Sequence, residues 1–248
     1  MRESLVVHSD YSEKTLRFRE VLHRFDAMGE YVVKGDRNAI KKVVIDNEVF
    51  NIKKFKTPNI FQGLVYQFLR KGKARRSFEY AEKLLGADIN TPFPVAYYEK
   101  VSFGLKESYY ISKHLDYDFD FRVLNHNPKW PHREKILQQF AQFTFQLHEN
   151  GINFLDHSPG NTLIVKRVDG NYDFYLIDLN RMRFEAMDFN KRMKNFRRLW
   201  LSKAMINVMA PVYAELYGKP LGQTHVLMTQ YSRQFQRKVN SKKLRRRK

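Results

Sequence analysis

The alternation of apolar and polar positions predicts a first part of the chain that is rich in β-strands. Between residues 31 and 56, three short runs of β-branched and aromatic residues, YVVK, IKKVVI and VFNIKKF, are typical of strands. Turns are expected between them at Gly35-Asp36-Arg37-Asn38 and at Asp46-Asn47. After a connector with two prolines, the runs AYYEKV and ESYYIS predict two further strands.

Helical spacing of apolar residues predicts four helices around and after these strands. The first would cover residues 11–28 with Ser12 as its N-cap, and the second would cover residues 73–86 and end at Gly86. The second part of the chain is mainly helical, with helices predicted over residues 132–149 and 188–217.

A β-hairpin interrupts the helices of the second part. The runs TLIVKRV and YDFYLID flank Asp169-Gly170, a pair that is typical of a two-residue hairpin turn. With that turn, Asn161 would lie directly opposite Asp178, and Asp156 would lie in the loop just before the first strand. Another turn would shift the register by a residue or two and would leave the three residues neighbours.

These elements together predict an α+β fold made of four segments. An N-terminal helical segment would span residues 1–30, and a β-rich region would follow over residues 31–112. A mainly helical region with the hairpin would occupy residues 113–235, and a basic, frayed tail would occupy residues 236–248.

Composition narrows the classes of protein that fit this pattern. An apolar content of 43%, with 20 Phe and 14 Tyr, is enough for a sizeable core and excludes a chain that is disordered throughout. The absence of cysteine excludes disulfides and thiolate metal sites. A net charge of +19 predicts an anionic partner: nucleic acid, a membrane leaflet or a phosphorylated substrate. No run approaches the roughly 20 apolar residues of a membrane span, so we expect a cytosolic protein that can be peripheral to a membrane.

The hairpin region carries the residue types that phosphoryl transfer needs. One carboxylate, Asp156, would orient the acceptor hydroxyl and accept its proton, while Asn161 and Asp178 would hold Mg²⁺ on the phosphates. All three offer hard oxygen ligands, which suit Mg²⁺. The alternative is a plain polar turn, because Asp, Pro, Gly and Asn are also ordinary turn residues.

The same residues resemble the motifs of the protein-kinase-like superfamily. Asp156 to Asn161 match its D-x-x-x-x-N loop, and Asp178-Leu179-Asn180 match its D-F-G metal motif. The resemblance implies a bilobal fold, with a small β-rich nucleotide-binding lobe and a helical catalytic lobe. It also implies that Lys53 contacts the ATP phosphates, with Lys54 as its rival, and that Glu79 holds this lysine, with Glu82 as its rival.

More closely, the chain resembles the lipopolysaccharide core kinases, the family that includes Kdo kinase. The resemblance implies ATP-dependent, Mg²⁺-assisted phosphorylation of a sugar hydroxyl, on Kdo or heptose, in a precursor of the Kdo–lipid A type. It further implies a location at the cytoplasmic face of the inner membrane. The net charge of +19 predicts contact with the anionic surface of that membrane. No nucleic-acid partner is expected, because no recognition motif is present and the basic residues are spread through the chain. The stretches that carry the resemblance are RNAIK (37–41), IKKFKTPN (52–59), GKARRSFEYAEKL (72–84), NTPFPVAYYE (90–99), LDHSPGNTLI (155–164) and FYLIDLNRMRF (174–184).

Departures from the protein-kinase pattern leave other functions open. Phe154 and Leu155 stand in place of the histidine and arginine of H-R-D, and Ser158 stands where protein kinases have a lysine. A kinase that acts on protein is disfavoured because no A-P-E motif follows Asp178. A basic docking module without chemistry and a nucleic-acid binder are the remaining alternatives. Arg181 and Arg183 would either touch substrate phosphates or form a solvated strand end.

Overall fold

The computed structural model describes residues 2–35, 38–57 and 71–245 and shows a mixed α/β chain with a large antiparallel sheet. The chain divides into two compact units. The first comprises Met1–Gly86 and Thr91–Leu115, and the second comprises Ala87–Asn90 and Asp116–Lys248. Several sequence predictions involve residues outside the described ranges: the turn at Asp36-Arg37, the end of IKKFKTPN at Pro58-Asn59, and the last three basic residues, Arg246, Arg247 and Lys248.

The first unit is built on a six-stranded antiparallel sheet. Its strands are β1 Arg2–Val7, β2 Glu30–Lys34, β3 Asn38–Ile45, β4 Glu48–Phe55, β5 Pro94–Ser102 and β6 Gly104–Lys113. They lie in the order β1-β5-β6-β4-β3-β2. Asp46 and Asn47 form the predicted turn between the third and fourth strands, with φ of 49° and 63°, as a tight hairpin turn requires. The sequence analysis missed β1, which lies in the segment predicted to be only helical.

Among residues 2–35, 38–57 and 71–115, two α-helices cover this sheet, α1 at Thr15–His23 and α2 at Lys73–Leu85. The prediction for α2 is confirmed, and Gly86 is its C-cap. The prediction for α1 is too long, because a 3-10 helix at Ser9–Lys14 precedes it. Ser12 is therefore not an N-cap; its carbonyl oxygen lies inside the 3-10 helix and accepts a bond of 2.6 Å from the Thr15 hydroxyl.

The two helices pack against different sets of side chains along each strand. Phe50 and Ile52 of β4 belong to the core cluster that includes Phe18 of α1. Phe55 of β4 belongs to a second cluster, with Phe78 of α2. Because side chains alternate along a strand, even-numbered residues of β4 face α1 and odd-numbered residues face α2.

The part of the second unit that the structure describes has five α-helices and five short strands. The helix predicted over 188–217 is wrong as one element: it breaks after Leu199, where Trp200 takes a φ of 56° and Ser202 caps the next helix. The prediction of a frayed tail is also wrong up to Arg245, because the last helix continues without a break to that residue. The helices are α3 Arg122–His126, α4 Arg133–Glu149, α5 Phe189–Asn195, α6 Lys203–Tyr217 and α7 Leu221–Arg245; the strands are β7 Phe119–Asp120, β8 Ile152–Phe154, β9 Thr162–Lys166, β10 Tyr172–Leu176 and β11 Met182–Phe184.

The hairpin β9–β10 forms where it is predicted, but its register differs by one residue. Lys166 pairs with Tyr172, so the turn has three loop residues between Arg167 and Asn171 instead of two. Gly170 takes the left-handed conformation, with φ of 77°, and the Asp169 carboxylate accepts a bond of 2.9 Å from the Asn171 amide.

Candidate active site

The loop that carries Asp156 is held between two strand pairs. Strand β8 leads into it and pairs with β11, and the Leu155 amide donates to the Arg181 carbonyl at 2.9 Å. The Asp156 carbonyl accepts bonds from the Ser158 amide at 2.7 Å and from the Asn161 side-chain nitrogen at 2.8 Å. The loop is thus folded back on itself, and its first and last polar residues are joined directly.

Asn161 and the end of β10 are also adjacent. The Ile177 amide donates to the Asn161 carbonyl at 3.0 Å, so Asn161 lies opposite Ile177 and one residue away from Asp178. Asp178 takes a φ of 59°, and its carboxylate accepts a bond of 2.8 Å from the Asn180 side chain. The one-residue shift in the hairpin therefore leaves Asp156, Asn161 and Asp178 within one compact segment.

Two arginines bind the carboxylate of Asp156, a side chain that is 18% exposed. Arg198, from the 3-10 helix Phe196–Leu199, lies 2.6 Å from one oxygen. Arg181 lies 3.5 Å from the other. Opposite charges at these distances attract strongly when the pair is partly shielded from water. The Asp156 side chain is thereby held in a defined position.

A buried hydrogen-bond network supports the same loop from beneath. His157 is fully buried, and its Nδ1 lies 2.8 Å from the Asn195 side-chain oxygen. The Asn195 side-chain nitrogen donates to the Phe154 carbonyl and to the Asn153 side chain, both at 3.0 Å. Burial lowers the pKa of His157 to about 4, so the ring is neutral at pH 7 and acts as a fixed hydrogen-bonding group.

Lys53 and Glu79 belong to the first unit. Lys53 is an odd-numbered residue of β4, on the α2 side, and its ammonium lies 5.2 Å from the Phe55 ring. Lys54 points to the α1 side, where it lies 3.6 Å from Asp26 and 5.3 Å from the Phe25 ring. The face that α2 covers therefore carries Lys53 and not its rival.

Glu79 lies on α2 and receives two cationic partners. Lys71 contacts both of its carboxylate oxygens, at 2.8 and 2.9 Å, and Arg75 donates at 2.8 Å. Burial raises the pKa of Glu79, but the bonds from Lys71 and Arg75 outweigh this effect, so the pKa is lowered overall. The predicted partner of Lys53 is thus an ionised carboxylate, whereas its rival Glu82 is exposed.

The oxygen atoms beside the hairpin fit a magnesium ion bound jointly with phosphates. The Asn161 side-chain nitrogen bonds the Asp156 carbonyl, so its side-chain oxygen, like the Asp178 carboxylate, is of the type that binds Mg²⁺. Among the described residues, no three His, Asp or Glu side chains form a metal cluster of their own.

Comparison with known proteins identifies the class and then the family. The solved structure of WaaP in complex with acyl carrier protein has the same fold: its TM-score is 0.66 at 19% identity, over 96% of this chain and 99% of that chain. Residues 50–217 match the lipopolysaccharide kinase (Kdo/WaaP) family, so the protein is a kinase, and ATP is the donor that such a family implies. The chain belongs to this family, which confirms the resemblance seen in the sequence. No curated protein sequence matches the chain.

Sequence reasoning missed Arg198 and Asn195, which contact the predicted catalytic loop. They lie about 40 positions after Asp156 in the chain. Their segment is the break between α5 and α6, which the helical pattern had merged into one helix. The sequence does show two adjacent arginines, Arg197-Arg198, directly before the Leu-Trp-Leu run. This pair does not indicate which residue either arginine would contact.

The position of the two β4 lysines leads to a first test. We expect Lys53→Met to lower kcat/KM strongly and Lys54→Met to have a small effect, since only Lys53 lies on the α2 side of the strand. Steady-state kinetics of the purified variants measure this difference, and Lys54→Met serves as the matched control. A larger loss in Lys54→Met would mean that the other face of β4 carries the phosphate contact.

Proposed function

We propose that this kinase transfers the γ-phosphoryl group of ATP to a sugar hydroxyl of the lipopolysaccharide inner core, on a Kdo or heptose residue. The family match supports a kinase of the lipopolysaccharide core, and the proposal adds the acceptor group. The observation that carries it is the compact loop in which Asn161 bonds the backbone of Asp156 and adjoins the strand that leads to Asp178.

Each predicted residue has a distinct role in this proposal. Asp156 orients the acceptor hydroxyl and takes its proton, and the arginines that bind its carboxylate fix its direction. Asn161 and Asp178 hold Mg²⁺, which neutralises charge on the phosphates when it is bound. Lys53 contacts the α- and β-phosphates, and Glu79 orients Lys53. The architecture is then protein-kinase-like and bilobal, with residues 31–112 as the nucleotide-binding lobe and 113–235 as the catalytic lobe.

The direct test is an ATP-consumption assay with the purified chain and a set of acceptors. Kdo–lipid A, free sugars and a generic protein substrate separate a glycolipid kinase from a sugar kinase and from a protein kinase. We expect phosphate transfer to Kdo–lipid A above the rate of ATP hydrolysis without acceptor. Transfer to the protein substrate alone would contradict the proposal.

The acceptor is a membrane glycolipid, so the enzyme has to reach a membrane surface. Within residues 2–35, 38–57 and 71–245, each helix is too short or too polar to cross a bilayer. Helix α7 contains no Asp or Glu, and every Lys and Arg in it is exposed. We propose that the protein works at the cytoplasmic face of the inner membrane, where this basic helix contacts anionic lipids.

A charge-neutralised helix tests this contact. We expect replacement of Lys242, Lys243 and Arg245 by Gln to weaken co-sedimentation with anionic vesicles at low salt, because each cation near the surface contributes about 1 kcal/mol. The KM for membrane-embedded acceptor should rise, while kcat on a soluble acceptor fragment should stay unchanged.

The matched control removes the same charge from exposed lysines elsewhere, namely Lys106, Lys129 and Lys219. It should bind vesicles as the wild type does, apart from a small loss due to net charge. Equal loss in both variants would mean that net charge, and not α7, brings the protein to the surface. Binding of the wild type should also weaken as salt is added, since salt screens the attraction.

A further inference from the structure

Asp156 has two cationic partners, which is one more than it needs for charge balance. Arg198 and Arg181 bind different oxygens of its carboxylate, at 2.6 and 3.5 Å. Two guanidinium groups against one carboxylate leave a surplus positive charge beside the carboxylate that the proposed mechanism assigns to the acceptor hydroxyl. Such a surplus favours a second anion at the same place.

Asp156 engages one terminal nitrogen of the Arg198 guanidinium, at 2.6 Å. The Arg198 Nε–H is buried and has no hydrogen-bond partner within the part of the chain that the structure describes. Its guanidinium carbon lies 5.5 Å from the centre of the Phe235 ring of α7, a contact that steadies the group. A guanidinium offers five donors in a planar fork and can bind two carboxyl-like groups at once.

Both arginines remain accessible to solvent. The Arg198 side chain is 30% exposed and that of Arg181 is 56% exposed, so a ligand in solvent can reach both groups. Both are also held in place at the main chain: Arg181 by its carbonyl bond from Leu155, and Arg198 by the 3-10 helix that follows Asn195. The pair is therefore a prepared cationic surface next to the acceptor side of the loop.

The loop itself supplies no cation at this place. Ser158 occupies the position where a protein kinase carries a lysine two residues after the catalytic aspartate. Arg198 and Arg181 come from outside the loop and reach the aspartate from two different segments.

We propose that Arg198, together with Arg181, forms an anion-binding site that recognises a carboxylate or phosphate of the acceptor next to the reacting hydroxyl. In the acceptor-free protein the arginines bind Asp156. When the acceptor is bound, its anionic group shares the guanidinium donors, and its hydroxyl faces the Asp156 carboxylate. This inference rests on the proposed function, since it assigns the acceptor specificity of the same site.

The inference is tested by measuring the activity of each enzyme variant on each modified acceptor. The enzyme variants are Arg198→Met and, as the matched control, Arg197→Met, whose guanidinium bonds the Lys194 carbonyl instead of Asp156. The acceptors are Kdo–lipid A, the same molecule with the Kdo carboxylate converted to an amide, and the same molecule without its lipid A phosphates. Mg·ATP affinity is measured for every variant.

We expect Arg198→Met to lower kcat/KM on Kdo–lipid A by about 10- to 100-fold, as for a hydrogen bond to a charged group. On the acceptor whose recognised anion has been removed, the same substitution should cause little further loss. If the effect of Arg198→Met disappears on the amide acceptor, the recognised anion is the Kdo carboxylate. If it disappears on the acceptor without phosphates, the recognised anion is a lipid A phosphate. Arg198→Lys, which keeps the charge without the planar fork, should restore part of the rate, and Mg·ATP affinity should not change.

The outcomes separate this inference from the proposed function. If the wild type transfers phosphate but Arg198→Met loses the same factor on all three acceptors, the arginine supports the loop only and the inference is overturned. The same conclusion holds if Arg197→Met loses as much as Arg198→Met. If the wild type phosphorylates none of the acceptors, the proposed function fails first, and the inference fails with it.

Discussion

Asp156→Asn is expected to lower kcat by about 10²–10⁴, the usual contribution of a residue that accepts a proton in the transition state. Affinity for Mg·ATP should change little, because Asp156 is assigned to the acceptor hydroxyl and not to the nucleotide. Asparagine keeps the shape of the side chain but cannot take the proton. Steady-state kinetics and a calorimetric titration of Mg·ATP measure the two effects separately.

The substitution also removes the counter-charge of two arginines, so folding has to be checked in the same sample. Arg198 and Arg181 would then repel each other across a neutral side chain, and some loss of thermal stability is expected. Asp173→Asn is a matched control on β10: it removes a carboxylate 3.7 Å from Arg167. Activity of Asp156→Asn within threefold of the wild type would refute the proton-acceptor role.

The antiparallel sheet could be predicted because its signal is local. The alternation in the runs between residues 31 and 56 gives the strands, and Asp46-Asn47 gives the turn, since few residues accept a positive φ. The partner of β1 could not be predicted. Strand β1 pairs with β5, which lies about 90 residues away in the chain, and no local pattern specifies such a pairing.

The register of the β9–β10 hairpin depends on the length of its loop. Asp169-Gly170 is compatible with a two-residue turn and with a three-residue loop. The two differ in the position that Gly170, with its positive φ, occupies within the loop. The structure has the longer loop, which moves Asn161 by one position relative to the opposite strand. The candidate site tolerates the shift because Asp156 and Asn161 bond each other within their own loop.

The surroundings of the site depend on tertiary packing and could not be read from spacing. Asp156, Asn161 and Asp178 are separated by short, characteristic intervals, which a motif can capture. Arg198 contacts Asp156 from the 3-10 helix Phe196–Leu199, which follows the end of α5 at Asn195 and precedes the turn at Trp200. A helical pattern that continues through the break hides that turn.

Asp178→Asn is expected to lower the affinity for Mg·ATP by about 100-fold or more, since removing even a supporting partner of a metal ligand typically costs 10- to 100-fold. Asparagine is chosen because Asp178 has a φ of 59°, a conformation that Asn accepts with less strain than most residues. A loss of Mg·ATP affinity can then be attributed to the missing charge and not to a changed backbone conformation. Asp178→Ala should lose at least as much, with added strain.

Asn161→Ala should weaken the same binding to a smaller degree, because a neutral amide is a poorer ligand for Mg²⁺ than a carboxylate. It should also loosen the loop, since the Asn161 side chain bonds the Asp156 carbonyl at 2.8 Å. Calorimetric titration with nucleotide, with and without Mg²⁺, distinguishes the two effects: a metal ligand matters only when Mg²⁺ is present. Unchanged Mg·ATP affinity in Asp178→Asn would place the metal ion elsewhere, whereas Asp173→Asn is expected to leave it unchanged.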